Sequence, residues 1–436
     1  MMKRALFTTL VLVLIISSCR KDNDNPPDDA MIDKIARDSL YNLMIDKYYW
    51  NDLMPVVTKD NYDNPYDLLE AMMYKPVDRY SYIQDYDEFV ASMAGDFVGH
   101  GILIKIDEEG NARIALIYSR SPLYSQGVRR GWIIKSVNGV DIAPLLISND
   151  YESYNRVMKE SKAGITNQFL FENPEGIEVA IASTKTEFLL NSVIHYDTLH
   201  LSSGITGHLV YDYFMYTQES EAELSAAFAF FKSNNIKDLI LDLRYNPGGM
   251  LSTAQKIASF IAGDVPVPYN APFIKLIYNN QNQRENSVFP FMPTIYPLSL
   301  TKLVVLTTGQ TASASEALIN GLSAFLDVIC IGDTTYGKPV GMRTYAFRQA
   351  YYFLPIVFKV ANRNDEGDFY DGIPPDKYVI DDIAHDFDDR NELCLREAIH
   401  FLETGELSSK GLYPEIPQPW VSEKPEWIRN GLSLIQ

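Results

Sequence analysis

The chain has 436 residues, 46% of them hydrophobic and 22% charged, which is enough for two or three globular domains with buried cores. Its formal net charge of -19 argues against nucleic acid as a partner, because phosphate binding requires a basic face. An acidic balance of this size is typical of a well-solvated surface.

The beginning of the chain predicts a lipoprotein signal peptide over residues 1–19. Lys3 and Arg4 precede an apolar run from Leu6 to Ile16, which is too short for a membrane span of about 20 residues. The run leads into "ISSC", which resembles the lipobox of bacterial lipoproteins. This resemblance implies lipidation of Cys19 and a lipid-anchored protein of the cell envelope, on the outer membrane, facing either the periplasm or the outside. A plain secretory signal is the alternative.

The next segments predict a tether and a small helical domain. Residues 20–30 are charged and contain two prolines, which is typical of a flexible tether. Apolar residues then recur at helical spacing between Ile32 and Tyr48, and a second helical segment surrounds Leu68. We therefore predict a helical N-terminal domain over residues 31–92.

From Phe97 onward the pattern changes to short strands. A turn at residues 109–111, a short helix at residues 123–126 and the strand "WIIKSV" before Asn138-Gly139 predict an antiparallel β domain. The run "SPLYSQGVRRGWIIKSVNG", together with the earlier loop "GHGI", resembles a PDZ domain. The resemblance covers about residues 97–184, and we predict a PDZ domain over residues 93–186.

The PDZ resemblance implies a β-barrel-like domain that binds peptides. It places Gly99, His100, Gly101 and Ile102 in the loop that receives a chain-terminal carboxylate, since a glycine-flanked loop can offer backbone N–H groups. The alternative is that the two glycines only shape a turn.

Residues 187–405 alternate apolar strands with helices, which predicts a largely parallel sheet covered on both faces. Two loops, "RYNPGG" and "GQTASASE", each follow a buried strand. Because ligands of such sheets bind beyond the carboxyl ends of the strands, we expect both loops at one site. Residues 406–436 form a C-terminal tail to which the sequence assigns no function.

Ser313, at the start of a predicted helix, permits two interpretations. With Glu316 it forms an S-x-x-E capping box. Alternatively its hydroxyl is a nucleophile, with an oxyanion held by the N–H of Ala314 and by a second donor from Gly248 or Gly249.

Such a nucleophile needs a general base. None of the six histidines lies in a sequence motif typical of a serine–histidine triad, so we expect a lysine in this role. Lys338 lies in a stretch from Thr334 to Met342 that carries no other charge. Burial there would lower the amine pKa to about 7–8, as a general base requires. The alternative is a surface lysine in a Gly/Pro loop.

The motifs "LRYNPGG", "SASE" and "GK", in this order, resemble the carboxyl-terminal-processing serine peptidases of family S41. The 25-residue separation of Ser313 and Lys338 also matches that family. The resemblance implies a crotonase/ClpP-like α/β peptidase core. It implies Ser313 as nucleophile, Lys338 as general base, and an oxyanion hole formed by Ala314 with one glycine of the "GG" pair.

The same resemblance implies polypeptide substrates captured near their C-termini, with no cofactor. Many members carry a glutamine four residues after the lysine, and here that position is Met342. A catalytically weak PDZ peptide-binding pseudo-peptidase therefore remains an alternative, as does an acyl-CoA enzyme on a crotonase-type core.

The sequence contains no CxxC or HExxH pattern and predicts no metal site, and it leaves the oligomeric state open. The expected fold is α/β and multidomain.

Overall fold

A computed structural model describes residues 29–93, 96–263, 270–300, 302–409, 419–422 and 433–434. The predicted signal peptide, the predicted lipidation site Cys19 and most of the predicted tether lie outside these residues. Within the described ranges, no helix has the length and apolar character that crossing a bilayer demands.

The N-terminal segment is helical, as predicted, but it packs onto the core of the protein. Its elements are α1 (Asp29–Lys47), a 3-10 turn (Lys59–Asn61), α2 (Pro65–Met72), β1 (Tyr82–Asp85) and α3 (Tyr86–Met93). Tyr48 and Trp50 belong to one apolar cluster with Met342 and Ile356. The Tyr49 N–H also donates to the Ile356 carbonyl at 2.8 Å. This segment therefore shares a core with the region predicted to be catalytic.

The middle region is antiparallel, and its strands confirm the predicted positions. Its elements are β2 (Asp96–Gly99), β3 (Ile102–Ile106), β4 (Ala112–Ile117), a 3-10 turn (Tyr124–Gln126), β5 (Ile133–Val137), α4 (Ala143–Ile147), α5 (Tyr151–Met158), β6 (Thr166–Glu172), β7 (Glu178–Thr184) and β8 (Thr186–Leu189).

The remaining region alternates strands and helices, as the sequence predicts. Its first half contains β9 (Val193–Leu201), β10 (Gly204–Tyr211), α6 (Gln218–Ser233), β11 (Asp238–Asp242), β12 (Gly249–Met250), α7 (Leu251–Ala262), β13 (Pro272–Tyr278), a 3-10 turn (Gln283–Glu285) and β14 (Ser287–Pro290). Its second half contains β15 (Lys302–Thr307), α8 (Ala314–Ser323), β16 (Asp327–Gly332), β17 (Val340–Met342), β18 (Tyr345–Phe347), β19 (Tyr351–Leu354), β20 (Ile356–Ala361), β21 (Lys377–Tyr378) and α9 (Leu393–Thr404). The tail adds β22 (Trp420–Ser422) and β23 (Ser433–Leu434).

The central sheet has the strand order β21-β16-β15-β11-β10-β9 and is parallel except for the outermost pair, β10 and β9. Leu239 and Leu241 of β11 belong to the apolar cluster that contains α6, α7 and α8, whereas Ile240 belongs to the cluster that contains α9. Helices therefore cover both faces, which explains the nearly continuous apolar strands and confirms the predicted parallel sheet.

A second six-stranded sheet has the order β12-β23-β17-β20-β13-β14, and a three-stranded sheet joins β1 to β19 and β18. The middle region forms the sheet β22-β3-β4-β5-β6-β7, with β2 and β8 as a separate pair. In the described residues this middle sheet is open, with β22 and β7 at its edges. The expectation of a closed, barrel-like form is therefore not met, because the two edge strands do not pair.

Candidate active site

The two glycine- and hydroxyl-bearing loops follow neighbouring parallel strands and meet at the carboxyl edge of the central sheet. Asp242, the last residue of β11, pairs in register with Leu306 of β15. The Ala312 N–H then donates to the carbonyl of Asn246 at 3.0 Å. The expectation that both loops lie at one site is confirmed.

Two of the three hydroxyls in the stretch 309–322 hold these loops together. The Thr311 hydroxyl donates to the Leu243 carbonyl at 2.8 Å, and the Ser315 hydroxyl donates to the Asn246 carbonyl at 3.0 Å. Both side chains are completely buried. Thr311 and Ser315 are therefore structural, and Ser313 is the hydroxyl to examine for chemistry.

Ser313 precedes α8 and is held in an unusual conformation against Gly248. Its φ of 61° lies in the left-handed region, and Gly248 has a φ of 107°. A Cβ atom on Gly248 would lie 2.7 Å from the Ser313 Cβ and 2.9 Å from the Ala314 nitrogen. Only glycine fits this approach. The predicted nucleophile and two of the predicted oxyanion residues are thus in contact.

The two glycines of the predicted oxyanion hole differ in their hydrogen bonding. The Gly248 N–H donates to the Asn246 side-chain oxygen at 2.9 Å. The Gly249 backbone lies beside Phe214, where a Cβ atom would be 2.3 Å from the Phe214 carbonyl oxygen. The Gly248 N–H thus already has an acceptor, and Gly249 pairs in the sheet with Ser433 of β23. The second oxyanion donor therefore stays a prediction for either Gly248 or Gly249.

Glu316 connects the serine loop to the lysine loop. Its Oε2 accepts the N–H of Ser313 at 2.7 Å and that of Lys338 at 2.9 Å. Its Oε1 accepts the Gly337 N–H at 2.7 Å and the Thr335 hydroxyl at 2.6 Å. One buried carboxylate oxygen therefore brings the backbones of Ser313 and Lys338 within two hydrogen bonds of each other.

The capping-box interpretation is thus correct, since Glu316 bonds to the Ser313 N–H in the way a capping box requires. The capping role is compatible with the nucleophile interpretation, because the Glu316 carboxylate binds the backbone N–H groups of both Ser313 and Lys338. Burial raises the pKa of Glu316 above its usual value, although the four hydrogen bonds oppose that shift. The sequence indicated this carboxylate only as a helix cap.

Lys338 is 1% exposed, so the alternative of a surface lysine is wrong. Burial lowers the pKa of its amine to about 7, while the charges of Asp78 and Glu316 act in the opposite direction. The Lys338 Nζ lies 5.4 Å from the centre of the Tyr80 ring. A lysine in this environment can be neutral near physiological pH, which a general base requires.

Two side chains beside Lys338, Asp78 and Tyr80, come from the N-terminal segment. Asp78 is 1% exposed and accepts hydrogen bonds from the Tyr48 hydroxyl and the Ser81 hydroxyl, each at 2.7 Å. The Tyr80 hydroxyl donates to the Gly337 carbonyl. The sequence offered no signal for this contribution, because residues 78–80 carry no recognisable pattern.

Met342, which occupies the position of the family's glutamine, is completely buried in an apolar cluster. Its neighbours in this cluster include Val340 and Leu354. Met342 cannot replace the polar function of a glutamine. Polar and charged groups near Lys338 include Tyr80, Asp78 and Glu316.

Arg244, the arginine of "LRYNPGG", holds its loop through buried ion pairs. It is 1% exposed and pairs with Asp242 at 2.6 Å, Glu392 at 2.8 Å and Asp381 at 3.0 Å. Asp381 also pairs with Lys105 at 2.5 Å and Arg130 at 3.2 Å, which belong to the middle region. A buried ion-pair network therefore connects the middle sheet to the loop that carries Gly248.

The predicted carboxylate loop of the middle region is buried. His100 is completely buried, with its ring nitrogens 3.0 Å from the Ser183 hydroxyl and 3.2 Å from the Asn167 side-chain oxygen. At Gly101, whose φ is 67°, a Cβ atom would lie 2.5 Å from the Phe188 ring. Gly99 and Ile102 are buried as well. In this structure the loop lies inside the fold.

Comparison with known proteins agrees with this geometry. A model of the peptidase family S41 domain matches residues 206–379, which include Gly248, Ser313 and Lys338, and a model of the peptidase S41 N-terminal domain matches residues 36–82. The chain belongs to peptidase family S41. Its core is an S41 peptidase core preceded by an S41 N-terminal domain, in a multidomain α/β fold.

Among curated relatives, a carboxyl-terminal-processing protease of a Picosynechococcus species is 25% identical over 65% of this chain and 64% of its own length. A probable CtpA-like serine protease of Staphylococcus aureus is 22% identical over 74% of this chain and 60% of its own length. The chain thus matches less than two thirds of the length of either relative. A crystal structure of a putative S41 protease from Bacteroides fragilis has the same fold, with a TM-score of 0.68 and 21% identity over 84% of this chain and 97% of that one.

Proposed function

We propose that this chain is a serine endopeptidase with a Ser313–Lys338 dyad. The observation that carries the proposal is the shared Glu316 oxygen, which accepts the backbone N–H groups of both Ser313 and Lys338. Ser313 also lies against Gly248, and Lys338 is buried. Membership of family S41 supports the reaction class.

In the proposed reaction, neutral Lys338 accepts the Ser313 hydroxyl proton as Oγ attacks a peptide carbonyl carbon. The N–H group of Ala314 and that of one glycine, Gly248 or Gly249, hold the resulting oxyanion. Collapse of the intermediate breaks the C–N bond, and the Lys338 ammonium returns its proton to the leaving amine. Water then attacks the acyl-enzyme ester, with Lys338 again accepting a proton. As the ester C–O bond breaks, Lys338 returns that proton to the Ser313 Oγ, and the carboxylic acid product leaves.

Cleavage of an unstructured polypeptide such as casein tests this assignment. We expect Ser313→Ala and Lys338→Met to lose at least a thousandfold in kcat/KM, since each removes a reacting group. Ser323→Ala and Lys232→Met are matched controls at exposed positions and should retain full activity. Cleavage that persists in Ser313→Ala would remove the proposal. Intact substrate with wild-type protein would instead support the peptide-binding alternative.

The pH dependence tests Lys338 separately. Because the base acts as the free amine and its pKa is lowered to about 7, kcat/KM should rise about tenfold per pH unit below that value and level off above it. In Lys338→Met the residual rate should lack this rise. A flat wild-type profile between about pH 5 and 9 would count against a lysine base.

We also propose that the middle region captures extended peptides by strand addition, as its PDZ resemblance implies. The outer edge of β3 already pairs antiparallel with β22, from Trp420↔Lys105 to Ser422↔Leu103. A captured peptide must therefore displace this segment of the tail. Deleting the chain after Ser409 in a Ser313→Ala background should tighten binding of an unstructured peptide. Unchanged or weaker binding would contradict capture at this edge.

Finally, we propose that lipidation of Cys19 anchors the protein to the cell envelope, since "ISSC" resembles a lipobox. Metabolic labelling with a clickable fatty acid should mark the wild-type protein in the membrane fraction. The Cys19→Ser variant should be unlabelled and released. Equal labelling of both would overturn the anchor.

A further inference from the structure

The hairpin formed by β9 and β10 places two histidines and an aspartate on one face. His195 and Asp197 are two residues apart in β9, so their side chains point to the same side. His208 of β10 pairs directly opposite Asp197 and therefore joins them on that side. The candidate ligand atoms of the three side chains all lie within 4.8 Å of one another.

Four polar atoms of this cluster have no hydrogen-bond partner within the described residues. His208 is completely buried, and within the described residues neither of its ring nitrogens has a hydrogen-bond partner. The same holds for the His195 Nε2 and the Asp197 Oδ1, which are 3.6 Å from each other. Leaving buried polar groups unsatisfied is costly, so several such atoms converging on one point require an explanation.

The charges near His195 suit a cation. Besides Asp197, the carboxylates of Asp386 and Asp388 act on His195, while the cation Arg390 acts on Asp197. The negative charge beside His195 favours a bound positive ion.

We propose that His195, Asp197 and His208 form a site for a divalent transition metal, with Zn²⁺ as the best match. Two imidazole nitrogens and one carboxylate oxygen are a preferred ligand set for zinc. The side chains of His195 and Asp197 are 28% and 38% exposed, which gives the ion an entry path and leaves room for water as a fourth ligand. His208 is the buried anchor of the site.

The metal would join the outermost strand of the central sheet to its neighbour. β9 is the only antiparallel member at that edge of the described sheet, and β10 leads directly to Phe214, which contacts Gly249. A bound ion would therefore stabilise the fold without taking part in peptide cleavage. A search for sequence patterns misses this site, because its ligands come from two strands at unremarkable spacing.

Zinc binding by tag-free, full-length protein tests the proposal. After dialysis against EDTA, titration with Zn²⁺ in competition with a chromophoric chelator should give one site per chain, and Co²⁺ should give the visible absorption of a low-coordinate nitrogen- and oxygen-ligated ion. Asp197→Asn and His208→Asn should weaken zinc binding at least a hundredfold. Asp197→Asn alters a partly exposed side chain and so keeps the test valid if His208→Asn does not fold.

His200→Asn is the matched control, because His200 is an exposed histidine of the same strand β9. It should bind zinc as the wild type does. Zinc should also raise the Tm of the wild type and of this control, but not that of Asp197→Asn. Equal zinc affinity in wild type and Asp197→Asn, or no stoichiometric binding by the wild type, would overturn the site.

Discussion

The carboxyl edge of the central sheet and the "GHGI" loop of the middle sheet carry the same sequence signal, glycine in a loop, but their surroundings differ. At the central edge Gly248 lies against the backbone and Cβ of Ser313 and Ala314. In the middle sheet Gly101 lies against the ring of Phe188. Glycine in a loop therefore indicates a close approach, while the tertiary contacts decide whether a reactive group or an apolar ring is approached.

The two regions are also connected, because Asp381 binds cations from both. Lys105 and Arg130 come from the middle region, and Arg244 precedes the glycines of the central loop. The side chain of Asp381 is 7% exposed. The middle sheet and the loop that leads to Gly248 therefore share one buried counter-charge, and Arg130 also donates to the Tyr245 hydroxyl of that loop.

Asp381→Asn should have the largest effect on stability, because it leaves three buried cations without a shared counter-charge. We expect the free energy of unfolding to fall by about 3–5 kcal/mol, measured by urea unfolding at pH 7. Asp365→Asn is the control, since the Asp365 side chain is 72% exposed in its pair with Lys275 and should change stability by less than about 1 kcal/mol. Similar small losses in both variants would show that the regions are not connected in this way.

Glu316→Gln should disrupt the hydrogen bonds between the Ser313 and Lys338 loops and leave the middle sheet unchanged. An amide supplies only one oxygen where Glu316 accepts four hydrogen bonds, so its NH2 group must face donors. We expect a loss of about 2–4 kcal/mol in stability and at least a hundredfold in kcat/KM. Glu219→Gln, at an exposed position in α6, should change neither. Full activity in Glu316→Gln would mean that the carboxylate does not position the dyad.

Gly248→Ala sharpens the comparison between the loops by adding one methyl group beside Ser313. The new Cβ would overlap the Ser313 Cβ and the Ala314 nitrogen, so we expect activity to fall about a hundredfold. Gly164→Ala is a matched control, because Gly164 also has a positive φ, of 87°, but no atom lies within 4 Å of its added Cβ. Gly164→Ala should keep full activity. Equal losses in both variants would mean that the effect is not specific to the contact between Gly248 and Ser313.

The sequence predicted the elements of this fold well wherever the pattern was local. The apolar runs of β11 and β15 and the helix start at Ser313 follow from hydrophobic periodicity and capping residues. The loops meet because parallel neighbours end at one edge, which is a rule of topology and can be anticipated. The sequence pattern and this rule of topology together therefore predicted that Gly248 and Ser313 lie at one edge of the sheet.

The parts that were missed depend on contacts between distant segments. Asp78 and Tyr80 approach Lys338 only because the N-terminal segment shares the core, and Asp381 binds residues more than a hundred positions away. The covering of β3 by β22 likewise joins residues about three hundred positions apart. A local sequence pattern cannot predict such pairings, because they form only when distant segments are buried against each other in the folded protein.

The smallest predicted effect lies in the middle loop. Burial lowers the pKa of His100 to about 4, below its unfolded value of about 6.5. The unfolded chain therefore binds more protons between these values, so the stability due to neutral His100 is complete above about pH 6.5 and declines as the pH falls. Between pH 7 and 5 the wild type should lose roughly 2 kcal/mol more than His100→Gln, measured by urea unfolding. Equal losses would show that His100 is accessible to water, as an open carboxylate-binding loop would require.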